Sequence, residues 1–199
     1  MGELRISRRR LVGVGAASAL GVLLTPGGVL ADGENGEEVE LLRWDLIQII
    51  QGTILAGGTD VGRDAATGDT ISLTGSGEAR PQNRKATGGG TFIHKHANGS
   101  EVAHGVYVVT AFNSFANGGG SLVGTGLIDG IDVLSKTTGG LLKLKVHLTA
   151  TSGLAADGTL EVHCSLPGGK PDEEGIRLSI LTFNFVQDGG NTLFHVLDD

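Results

Sequence analysis

Clusters of glycine separate runs in which apolar and polar residues alternate one by one, and no other feature of this chain restricts its fold so tightly. Glycine supplies 35 of the 199 residues, bunched at Gly57-Gly58, Gly88 to Gly90, Gly118 to Gly120, Gly139-Gly140, Gly168-Gly169 and Gly189-Gly190. The runs between them have the two-residue period of a strand with one buried face. In "LLKLKVHLTA", Leu142, Leu144, Val146 and Leu148 take one face and Lys143, Lys145, His147 and Thr149 the other. In "GTLEVHCSL", Leu160, Val162, Cys164 and Leu166 oppose Thr159, Glu161, His163 and Ser165. "TISLTGSG", "GTFIHKHA", "VAHGVYVVTAF", "GIRLSILTFNF" and "TLFHVLD" read as further strands, and the isoleucines of "ELLRWDLIQII" tilt that run towards a strand as well. The glycine clusters then read as turns and bulges. About eight to ten short strands without a helix predict an all-β fold, a single antiparallel β-barrel or β-sandwich.

The first 31 residues stand apart. Arg8, Arg9 and Arg10 precede an apolar run from Leu11 to Leu24, and Val29-Leu30-Ala31 offers a cleavage site before Asp32. The run is shorter than the roughly 20 residues of a bilayer span, so it reads as a cleaved export signal that leaves no stable membrane anchor. "SRRRLV", Ser7 to Val12, resembles a twin-arginine export signal, which implies export of an already folded protein to a periplasmic or extracellular destination. Residues 32–40 read as a flexible N-terminal segment and 41–199 as the β domain.

The net charge is −7, and more negative beyond the arginine-rich leader. With no basic stripe to offset it, such a surface excludes nucleic-acid binding. Cys164 is the only cysteine, so no internal disulfide forms; its place among apolar residues marks it as a small buried hydrophobe. Arg43 and Asp45 fall on one face of their strand, where the arginine can partner a carboxylate in an apolar run. His195, close to the C-terminus, is expected on the surface.

"GGGTFIHKHANGSEVAHGVYVV", Gly88 to Val109, carries the densest chemistry. Asn98-Gly99 is a hairpin turn signal. A two-residue loop there pairs His96 with Glu101 and His94 with Ala103, so both histidines share a face with Glu101 and His104 points away. A slip of one residue sets His94 opposite His104 instead. Either register leaves His94 and His96 side by side, about 7 Å apart at Cβ. Gly88, His94, Lys95, His96 and Glu101 resemble the first motif of the cupin family, in which two histidines and a glutamate bind a metal and a later strand adds a third histidine. The resemblance implies one divalent transition metal on His94, His96 and Glu101, with His163, or His147 beside it, completing the set. The residues taken alone also fit the wet outer face of an ordinary hairpin. No residue is singled out as catalytic. Two functions follow: an envelope binding or structural module whose partner is a small molecule or another envelope component, or a cupin-like metal-dependent enzyme acting on a small molecule.

Overall fold

The computed structural model describes residues 39–197. The expected export signal and nearly all of the segment 32–40 lie outside them. Alternation becomes sheet as expected: Leu142, Leu144, Val146 and Leu148 are buried, as are Leu160, Val162, Cys164 and Leu166. The strands are β1 (Leu41–Ile50), β2 (Thr53–Ala56), β3 (Asp60–Asp64), β4 (Thr70–Arg80), β5 (Lys85–Lys95), β6 (Glu101–Gly119), β7 (Ile128–Asp129), β8 (Thr137–Ala150), β9 (Ala155–Cys164), β10 (Gly175–Ile180), β11 (Phe183–Gly189) and β12 (Asn191–Leu197). The barrel alternative is the one adopted. Strands β3, β4, β5, β6, β8, β9, β10 and β11 form a closed antiparallel barrel, each pairing with the next and β11 returning to β3.

The remaining strands seal one end. β1 pairs with β12 from Leu41↔Leu197 to Ile47↔Asn191. β4 changes partner along its length: Thr70 to Leu73 bond to β3, and Ser76 to Ala79 bond to β1. β8 is shared in the same way between β12, at Thr137-Thr138, and β9. The short β2 folds back on β1, and β7 lies parallel to it. The side chains of Leu42, Trp44, Leu46 and Phe194 are wholly buried at this end. Arg43 grips Asp45 through two hydrogen bonds of 2.8 and 3.0 Å, which answers the need of that carboxylate.

Three expectations are corrected. Gly88 to Gly90 is not a turn but the middle of β5, and Gly139-Gly140 is inside β8. Three glycines of β4 and β5 face large rings: a Cβ on Gly77 would lie 2.8 Å from Trp44 Nε1, one on Gly88 2.7 Å from Trp44 Cζ2, and one on Gly75 against the Tyr107 hydroxyl. Their absent side chains give room for the two bulkiest rings of the core. His195 is fully buried, with Nε2 2.8 Å from Asp129 Oδ2. His147 does not face His163; the tight β8–β9 hairpin sets it opposite Asp157, to which its Nδ1 is bonded at 2.7 Å.

Candidate functional site

The end of the barrel away from Trp44 is open and holds a cavity of about 310 Å³. Ile71, Phe92, Leu148, Ala156, Phe183 and Phe185 form walls and floor, while Val102, Leu154 and Leu181 stand at the rim. The rim leucines are 74% and 79% exposed, an unusual placement for large aliphatic side chains. Only three lining residues are polar: Asp69, His94 and His96.

These three form one unit. His94 lies in β5 and His96 one residue beyond its end, and both line the cavity with Phe92, His94 inside the barrel and His96 at its mouth. In the β4–β5 ladder Thr70 is opposite Lys95, which brings Asp69, the residue before β4, alongside His96. Asp69 Oδ2 accepts from His94 Nε2 at 3.0 Å and from His96 Nδ1 at 3.3 Å, and Oδ1 accepts from the Ala97 N–H at 3.3 Å. The Asp69 and His94 side chains are 8% and 13% exposed, and that of His96 56%. Phe183 and Phe185 stack on each other, and the His94 ring meets both nearly edge-on at 5.0 and 5.5 Å between centroids. That packing fixes the imidazole on one side while Asp69 holds it on the other.

The turn that carries Asp69 is itself tied down. Asp64 Oδ2 accepts from the Thr67 N–H and hydroxyl, both at 2.9 Å, and Oδ1 accepts from the Asn184 N–H of β11 at 2.9 Å. These bonds, that from Asn184 first, hold the Asp64 carboxyl below the usual carboxylate range.

The other expected ligands lie elsewhere. A bulge after His94 sets Glu101 opposite Lys95, and Glu101 bonds His104 Nδ1 at 2.6 Å on the outer surface. His163 is near the far end of β9, roughly 25 Å along the strand from the cavity. Its Nε2 is 3.3 Å from Glu161 Oε2. Burial would raise the Glu161 carboxyl, but Lys143 and His163 hold it below its ordinary value. So His94, His96, Glu101 and His163 do not converge. Asp69 occupies one nitrogen of each cavity histidine, and among the described residues no group of three or more His, Cys, Asp and Glu is arranged to hold a metal ion.

Asp69 escaped the sequence reading. The signal for it was weak: Asp69, Ile71 and Leu73 share a period of two, which puts an acid at the inward end of an apolar stripe.

Below the cavity, the buried Tyr107 hydroxyl and Trp44 Nε1 find no hydrogen-bond partner among the described residues, and the buried Asp60 carboxyl makes no well-formed hydrogen bond. Burial, and then the charge of Glu174, push the Asp60 carboxyl up to about 8. Burial and the nearby Asp60 raise the Tyr107 phenol further.

No family model matches the chain, and no curated protein or solved structure matches it. Fold and site together define a closed antiparallel β-barrel, plugged at one end and open at the other, with an apolar mouth and one polar triad.

Proposed function

We propose that this protein is an exported binding module that takes up a small apolar molecule, reversibly, in the open end of its barrel. The observation that carries the reading is the cavity: its volume is near the lower bound of known ligand pockets, and its lining is apolar except for one Asp–His–His group. The exposed leucines at the rim continue that apolar surface outwards. The leader of residues 1–31 supports action outside the cytoplasm, and the acidic surface keeps the barrel away from nucleic acid.

N-phenyl-1-naphthylamine, a neutral probe that fluoresces in apolar surroundings, tests this. The wild-type protein should bind it saturably. Ala156→Phe places a ring in the cavity and should weaken binding at least tenfold while the thermal midpoint moves by only a few degrees. Unchanged affinity in that variant would refute a site in the barrel mouth.

A further inference from the structure

The hydrogen bonds of Asp69 decide which side of each imidazole the cavity sees. A carboxylate accepts and does not donate. It therefore fixes the proton of His94 on Nε2 and that of His96 on Nδ1, the two nitrogens it contacts. The opposite nitrogens, Nδ1 of His94 and Nε2 of His96, carry lone pairs and have no partner among the described residues. His94 Nδ1 is not sealed in protein, because it is absent from the wholly buried orphan atoms, and its ring lines the cavity. The two rings are 6.4 Å apart between centroids, and both line the cavity.

We infer that the ligand is an apolar molecule ending in a hydroxyl group, an alcohol or a phenol, whose O–H donates to the bare nitrogen of His94 or His96. This rests on the proposed binding in the barrel mouth and specifies its occupant. An apolar body alone would cover these acceptors and strip them of water without replacing the lost bond. An ether or ketone of the same shape brings only further acceptors and leaves the nitrogens just as bare. A carboxylate would set a second negative charge beside Asp69, in a protein that is already acidic. A neutral donor is the head group that satisfies the site.

The contact with Ala97 makes the inference testable by inversion. Because the Ala97 N–H donates to Oδ1, an Asp69→Asn side chain must turn its carbonyl oxygen towards Ala97. Its amide NH2 then takes the place of Oδ2 and donates to both rings. Each imidazole must shift its proton to the other nitrogen, and the cavity now sees donors. The shape hardly changes, while the hydrogen-bonding polarity of the site reverses.

The experiment is calorimetric titration of the full chain and of its Asp69→Asn variant with two matched pairs: 1-octanol against methyl heptyl ether, and 4-pentylphenol against 4-pentylanisole. In the wild type each hydroxyl compound should bind at least tenfold more tightly than its ether. In the variant the ratio should fall below about threefold, because an ether oxygen can accept from the new N–H. If only one pair discriminates, the class narrows to the alcohol or the phenol accordingly. Equal binding of hydroxyl and ether by the wild type would overturn the inference and leave the apolar site standing. So would a ratio that survives in Asp69→Asn. If none of the four binds, the apolar site falls, and this inference with it.

Discussion

Asp60 should make the protein less stable as the pH rises from about 4 to about 8. Its side chain has no exposure to solvent, and burial, with the charge of Glu174, raises its carboxyl to about 8 against a smaller opposing pull from the Asn191 N–H. In the unfolded chain the same group ionises near 3.9. Between these values the folded protein holds a proton that the unfolded chain has released. Stability therefore falls with rising pH by about 1.4 kcal/mol per unit, levelling off above pH 8. Four units give a penalty of about 5 kcal/mol at pH 8, a large share of the roughly 5–15 kcal/mol that holds a domain folded. Asp60→Asn keeps the shape and removes the ionisation. Urea denaturation of both proteins from pH 4 to pH 9 should give equal stabilities at pH 4 and a gap that widens in favour of the variant up to pH 8. Titrating groups not coupled to Asp60 act alike on both proteins and drop out of the difference, whereas the coupled Glu174 changes with it. Parallel stability curves would refute the reasoning, because they would mean that Asp60 is no harder to ionise in the fold than out of it.

A second buried acid should show the opposite sign. Burial acts to raise Asp129, but the hydrogen bond from His195 and the N–H groups of Ile131 and Asp132 overcome it and hold the carboxyl below its ordinary value. His195→Ala leaves that charge buried without its partner and should cost about 3–5 kcal/mol at pH 7 in urea denaturation. The cost should shrink as the pH falls below about 4 and Asp129 takes up a proton. Gly75→Ala drives a methyl group into the Tyr107 hydroxyl and should cost about 2 kcal/mol or more. Tyr107→Phe alone removes a buried hydroxyl without a partner and should be nearly neutral, and in a double-mutant cycle it should recover part of the Gly75→Ala loss.

The all-β class was legible because strand alternation is local: burial from Leu142 to Thr149 of β8 alternates as the sequence does. The Arg43–Asp45 pair was legible for the same reason, since two residues apart on a strand share a face. The inward-facing pair His94 and His96 was legible only as a pair. Which face is inside depends on the closure of β11 onto β3, a pairing between residues more than a hundred positions apart. Asp69 joins them through the β4–β5 register, and His195 is buried because the distant Asp129 covers it. Glycine misled for a physical reason. The same residue serves a turn, by tolerating positive φ, and a crowded strand, by lacking a Cβ, and sequence alone does not separate the two uses.

The pairing of β1 with β12 has a consequence for how the protein is made. Leu41 and Leu197 are partners, so the plug at the closed end joins the first strand of the described chain to the last. On a translating ribosome β1 emerges long before β12 exists, and until then one edge of β1 has no partner and Trp44 lacks the buried Phe194 beside its ladder. The closed end can form only after β12 has left the ribosomal tunnel. Sealing of this end is thus a late step, slowed by the high sequence separation of its contacts. The interval before it is when the unpaired edge of β1 is exposed to aggregation and to chaperones.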